Sequence, residues 1–265
     1  MSTPADPGPP PPPPGAVPVG HLPGKSRPRW GVVDTWPAWI LVILALLSIL
    51  ADAGGALDTD SGADDALEIG GMALFIGAFI QQAFQGGWPL IVSRWKGLGL
   101  AEDWKFRFEW ARDIGRGVGI AAACLVGVFL ATTVTSFLVG LNDEEDPSNT
   151  SILTDNQDSP WLIGIILIVV IGAPLTEELL FRGLVLRAFE KSMGIYVALG
   201  VSTIVFTIPH YQPGATAGET AVLFVGIATI GLILGIVTVR YDRLGPAILG
   251  HFFFNLFGTI SALTL

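Results

Sequence analysis

Apolar residues gather into seven stretches, about 36–53, 69–93, 114–141, 161–181, 195–210, 220–239 and 245–263, separated by polar connections. Most of these runs reach the ~20 residues that an α-helix needs to cross a bilayer, and 195–210 is the short one. The pattern predicts an all-α fold, a polytopic transmembrane bundle of about seven helices. Charge is distributed with the same rhythm. Connections 52–68, 142–160 and 211–220 contain no Lys or Arg and hold thirteen of the 23 acids. All 14 Lys and Arg fall in the N-terminal tail, in 94–116, in 182–191 and in 240–243. Those are alternate connections, as the positive-inside rule requires of a chain whose N-terminus is cytoplasmic. The expected location is the cell (plasma) membrane, multi-pass, with the C-terminus outward.

Composition agrees. Hydrophobic residues make up 51% of the 265 positions and charged residues 14%, against about 25% charged in soluble domains. The net charge of −9 belongs to particular loops, so no nucleic-acid partner is expected. Cys124 is the single cysteine, inside an apolar run, which excludes an intramolecular disulfide and points to packing. Residues 1–30 contain the unbroken run Pro9 to Pro14 and no apolar periodicity, and they read as a disordered Pro-rich tail. The first apolar run is followed by no small-residue cleavage pattern and reads as a retained helix. Tryptophans stand near the ends of the apolar runs, the position of an aromatic belt. The segment 93–116 mixes Trp, Phe, Lys and Arg and reads as lying on the membrane surface.

The chemistry lies where charge is most costly. Glu177, Glu178, Arg182, His210 and His251 lie within or at the ends of apolar runs, and Asn255 follows one turn after His251. An intramembrane ionisable group costs ~2.5–3.5 kcal/mol on insertion and is a functional-site candidate by default. On a helix Glu178 and Arg182 share a face, acid before base, while Glu177 is rotated away by about 100°. The two carboxylates therefore have different environments, which is how acid and base roles are commonly separated. Pro174 removes one backbone hydrogen bond just before them and predicts a kink. His210 follows Pro209 at a helix end, with Phe206 one turn earlier. His251 and Asn255 project from one face and need polar partners, for which the Glu pair and His210 are available. Packing is the competing account for each segment: an interfacial acid pair, a boundary histidine, a helix–helix hydrogen bond.

The segments Glu177-Glu178-x-x-x-Arg182, Phe206-x-x-x-His210 and His251-x-x-x-Asn255, in that order, resemble the signature of the CPBP intramembrane proteases, the type II CAAX prenyl endopeptidase and bacteriocin-processing family. The resemblance covers about residues 161–265. With the composition and the apolar runs, the chain reads as three regions: the tail 1–30, transmembrane helices and an interfacial segment over 31–145, and, by the resemblance, a CAAX-protease-like catalytic core over 150–265. The resemblance also implies an intramembrane endopeptidase acting on membrane-associated peptide or protein substrates. Glu177 and His210 would activate the attacking water, and His251 and Asn255 would stabilise the oxyanion. Glu178 and Arg182 would support the geometry. The family has been described both as metalloproteases and as glutamate-dependent proteases. No cofactor is assigned; zinc remains open, and its ligands would be Glu177, His210 and His251. The H-E-x-x-H spacing that sets two zinc ligands and a base on one helix is absent. A non-enzymatic membrane scaffold and a proton-coupled transporter are the rival functions. The transporter is weakened because no internal repeat is evident and the polar residues lie in one half.

One expectation strains. A helix 161–181 running inward places Glu177 ~24 Å below its start, and a helix 195–210 running outward places His210 ~22 Å from the opposite end. The two groups would then lie at different depths in a ~30 Å core.

Overall fold

The computed structural model describes residues 28–53, 66–141, 151–154 and 156–264. The proline run and most of the first two acidic connections lie outside these residues. Seven main helices occupy the described chain: α1 (Trp36–Ala53), α2 (Ala66–Lys96), α3 (Trp110–Val139), α4 (Leu162–Met193), α5 (Ile195–His210), α6 (Ala217–Tyr241) and α7 (Gly245–Thr264). No strand is present among the described residues. Five of them, α1 with the short turn before it, α3, α4, α6 and α7, are long and apolar enough to cross a membrane. This is a multi-pass helix bundle. α2 is 31 residues long, but Gln81, Gln82 and Gln85 interrupt it, and it is not among the five.

Close contacts at glycine show the course of each helix. A Cβ on Gly71 would meet Ser159, and one on Gly86 would meet Thr176, so α2 and α4 run parallel. Gly218 faces Val139 and Leu141 while Gly226 faces Val128 and Thr132, so α3 and α6 are antiparallel. A close backbone approach joins α3 to α7. At Gly250 a Cβ would come within 2.4 Å of Ile120 Cγ2 and 2.9 Å of its Cβ. A branched side chain there has no space and must push α7 away, carrying His251 with it. Gly250→Val is expected to destabilise by about 1–3 kcal/mol. Gly119→Ala, where nothing lies within 4 Å, should be neutral or stabilising, since alanine is the better helix former. Thermal unfolding of both variants in detergent checks this contrast.

α4 corrects the sequence reading. The apolar run ends at Phe181, yet the helix continues for twelve further residues to Met193. The connection placed at 182–191 is therefore helical, and its Arg182 lies inside the bundle. Every residue from Glu177 to Leu186 is buried, as in a helix surrounded by its neighbours. The chain reverses at Gly194, whose φ of +85° is a region that glycine enters freely. This removes the depth conflict. Measured from that turn, Glu177 lies sixteen residues up α4 and His210 fifteen residues past the start of α5. At about 1.5 Å per residue the two heights are ~24 and ~22 Å.

Pro174 does not break α4. The backbone widens instead into π-helical turns at Ile168–Gly172 and Glu178–Val185, one on each side of the Ala173–Glu177 segment. Such π-turns commonly accompany functional sites.

The cationic end of the bundle is tied by ion pairs. Arg187 reaches Glu190 at 2.9 Å and Asp242 at 2.8 Å, while Arg243 reaches Asp113 and Glu109, both at 2.8 Å. Glu109 is held below the ordinary glutamate range by its hydrogen bond from Arg112, with burial opposing and Arg243 assisting. An aromatic-belt reading needs exposed rings, and Trp95 and Trp110 are exposed. It fails for Trp30 and Trp104, which are buried with ring centroids 4.7 Å apart. Nor does 93–116 lie wholly on a surface. Trp104 donates to the Pro89 carbonyl, and buried Asp103 accepts from Trp30, Ser93, Leu98 and Gly99. Four donors on one carboxylate satisfy its lone pairs, which explains why this segment folds inward.

Candidate active site

A cavity of about 1280 Å³ opens among α2, α3, α4, α6 and α7, and Glu177, His210, His251 and Asn255 all line it. The four residues picked from three separate segments of sequence thus share one chamber. Glu178 and Arg182 stand behind its wall, fully buried.

These two residues form the foundation of the site. Arg182 donates to Glu178 Oε1 at 2.9 Å and to the Gly231 carbonyl at 3.0 Å. Its guanidinium also lies 4.2 Å from the centre of the Phe206 ring, a cation–π contact. A small residue at 231 permits this, because a Cβ there would meet Phe206 at 3.1 Å. Glu178 Oε1 accepts a second bond, from His251 Nδ1 at 3.0 Å. A carboxylate can only accept, so the proton lies on Nδ1 and Nε2 faces away from Glu178. Nε2 faces Glu177 Oε2 at 4.0 Å. Arg182, Glu178 and His251 therefore form one chain of contacts from α4 to α7 that aims an imidazole nitrogen at the other carboxylate.

His210 is fixed in a similar way. Its Nδ1 lies 2.8 Å from the Phe206 carbonyl, which also can only accept, so Nδ1 carries hydrogen and the Nε2 lone pair is left free. The 3-10 turn Ile208–His210 at Pro209 makes this local bond possible. Phe206 lies between both histidines, with centroids 4.9 Å from His210 and 6.2 Å from His251. Asn255 Nδ2 donates to the Val169 carbonyl at 2.8 Å, in the first π-turn of α4. One amide hydrogen is used there, and an amide nitrogen has two. Outside the spans, Tyr211 donates to Asp52 at the end of α1, and that bond raises the Tyr211 pKa above a tyrosine's ordinary value.

As placed, the donors among the described residues do not form a zinc site. A catalytic zinc needs three protein ligands at about 2.0–2.2 Å. Among the described residues no three His, Cys, Asp or Glu side chains form a group able to hold a metal ion. His251 Nε2, the ring nitrogen left free by the bond to Glu178, stands 4.0 Å from Glu177.

Sequence reasoning missed one side of the chamber. Gln81, Gln82 and Gln85 of α2 line it, as does part of α3. Thr176, next to Glu177, donates its hydroxyl to Gln82 Oε1. Three glutamines within five residues of an otherwise apolar run were the available signal.

Residues 159–257 match the type II CAAX prenyl endopeptidase Rce1-like family. This stretch is an Rce1-like domain. All six residues of the polar site fall inside it, whereas the α2 and α3 walls of the cavity fall outside. The chain is also similar to an uncharacterized 24.3 kDa protein of Escherichia coli, 31% identical over 144 residues that cover 52% of this chain and 63% of the relative. The chain thus spans less than two thirds of that relative's length. No solved structure matches the chain.

Proposed function

We propose that the Rce1-like domain is an intramembrane endopeptidase that hydrolyses peptide bonds of membrane-anchored peptides or proteins. The carrying observation is the buried Arg182–Glu178–His251 chain that aims Nε2 at Glu177 across 4.0 Å. That separation is too long for a direct hydrogen bond and suits a bridging oxygen.

In this reading the Glu177 carboxylate takes a proton from water while the free His210 Nε2 lone pair holds the other hydrogen. The water oxygen adds to the scissile carbonyl. The resulting oxyanion is met by the His251 imidazole and by the second amide hydrogen of Asn255. Preorganised donors aimed at a developing oxyanion supply more of the rate than any other device in most acyl-transfer sites. Glu177 then passes its proton to the leaving nitrogen as the C–N bond breaks, releasing a carboxylic acid and an amine and restoring the Glu177 carboxylate. Glu178 and Arg182 hold the His251 proton and tautomer in place. Leu74, Val128 and Phe137 extend the chamber with apolar surface, which suits a substrate that arrives within the membrane. The cationic end of the bundle faces the cytoplasm of a plasma-membrane protein in this proposal.

The test is hydrolysis of quenched, membrane-anchored peptides by purified chain in detergent, with and without a strong chelator. Cleavage is expected in both conditions. Loss of cleavage in chelator alone would replace the carboxylate mechanism with a metal one, and no cleavage of any peptide would point to a scaffold.

A further inference from the structure

Among the buried polar atoms of the chamber wall, Gln85 Oε1 has no hydrogen-bond partner although the residue is only 2% exposed. A buried unpaired acceptor is costly and calls for an explanation. Its own helix offers none, because the N–H groups in mid-helix are spent on the backbone ladder. Thr259 differs in kind. Its hydroxyl is also unpartnered in the same chamber, but a threonine hydroxyl can turn to the carbonyl one turn earlier. Thr132, Thr135, Thr229 and Thr238 all do so here. A carboxamide oxygen cannot, because a carbonyl is no donor. Gln85 is the acceptor that needs a donor from elsewhere.

Its position is fixed beside the reacting groups. Gly86 sits against Thr176, with a Cβ there brought to 2.7 Å from Thr176 Cγ2, and Gln82 one turn earlier is bonded to the same threonine. α2 is thus clamped to α4 at the residue before Glu177. A peptide entering this chamber from the membrane carries backbone N–H groups that hydrocarbon leaves unpaired and that an acceptor on the wall can take up. An extended strand presents such groups in alternation, one of them within reach of each wall.

We propose that Gln85 is a substrate-binding residue whose carboxamide oxygen accepts a backbone N–H of an extended peptide lying beside Glu177. The proposal rests on the endopeptidase reading and adds to it a subsite on α2, outside the Rce1-like domain.

The test separates the two. Peptides carrying one N-methyl group at each backbone position in turn are bound to the full-length Glu177→Gln protein and followed by fluorescence anisotropy, with Gln85 intact or changed to Met. With Gln85 present, one methylation is expected to weaken binding about tenfold. In Gln85→Met that same methylation should have no effect, and the parent peptide should bind about tenfold more weakly. The melting temperature of Gln85→Met should be equal or higher, because an orphaned acceptor has been removed. In the otherwise wild-type chain, Gln85→Met should raise KM and leave kcat nearly unchanged. An N-methyl profile identical in both proteins overturns the proposal, as does a lowered melting temperature, which would mark a structural role. Binding without hydrolysis by the wild-type chain overturns the endopeptidase reading alone. Hydrolysis with an unchanged profile overturns only Gln85. Failure of every peptide to bind overturns both.

Discussion

Glu177→Gln is expected to abolish peptide hydrolysis while leaving the folded bundle intact. The substitution keeps the volume and both heavy atoms of the terminal group, so the wall of the chamber does not change shape. What it removes is the capacity to accept a proton from water and return it to the leaving nitrogen. General acid–base groups contribute about 10²–10⁴ in rate, and here one carboxylate serves in both directions, so a loss of at least ~10³ in kcat is expected. Stability should hardly change. Among the described residues Glu177 makes no ion pair shorter than its 4.0 Å approach to His251, whereas Glu178 is bound to both Arg182 and His251. The measurement is kcat on a membrane-anchored peptide alongside the melting temperature of the same preparation. Full activity in Glu177→Gln would sink the assignment of Glu177 as the base. Lost activity together with a lowered melting temperature would move Glu177 into the structural framework.

The contrast between two adjacent glutamates is legible in the amino-acid sequence alone, because a helix rotates neighbours by about 100° and only Glu178 can meet Arg182. The helices are equally plain, since the seven apolar runs coincide with the seven main helices of the described residues. The end of α4 is not. Arg182 looks like the end of a membrane span, because a guanidinium in hydrocarbon is costly. Its partners come from elsewhere in sequence: the Gly231 carbonyl on α6 and the Phe206 ring on α5. Likewise His251 and Asn255 demand polar partners, but that His251 chooses Glu178, and Asn255 a carbonyl exposed by a π-turn, depends on how α7 crosses α4. Trp104 shows the opposite error. Its charged and aromatic neighbours imply a surface position, yet Asp103 satisfies four donors at once and draws the segment inward. Local pattern decides where helices form. Which polar groups meet is decided by helix crossings that leave no periodic trace.

Arg182→Met carries the largest expected effect on stability. The variant keeps a long apolar stem against Phe206 but strips Glu178 of its guanidinium partner and leaves the Gly231 carbonyl without its donor. Both partners of the pair are fully buried. Removing one member of such a pair leaves an uncompensated buried charge and costs about 3–5 kcal/mol. Replacing both is a different matter, because the pair's attraction is largely offset by its own desolvation. Glu178→Gln with Arg182→Met is therefore expected to recover most of the lost stability, giving a large coupling between the two positions. Activity should not recover with it. In the double variant the carboxylate is replaced by an amide that can present either its oxygen or its NH2 group to His251 Nδ1, so the tautomer and orientation of the ring are no longer fixed. Loss of one oxyanion donor typically costs about 10²–10³ in rate. Thermal unfolding and hydrolysis measured on the two single variants and the double variant separate the outcomes. Additive losses of stability would show that Arg182 and Glu178 act independently. Restored stability with full hydrolysis would show that the chain from Arg182 through Glu178 to His251 supports only the fold.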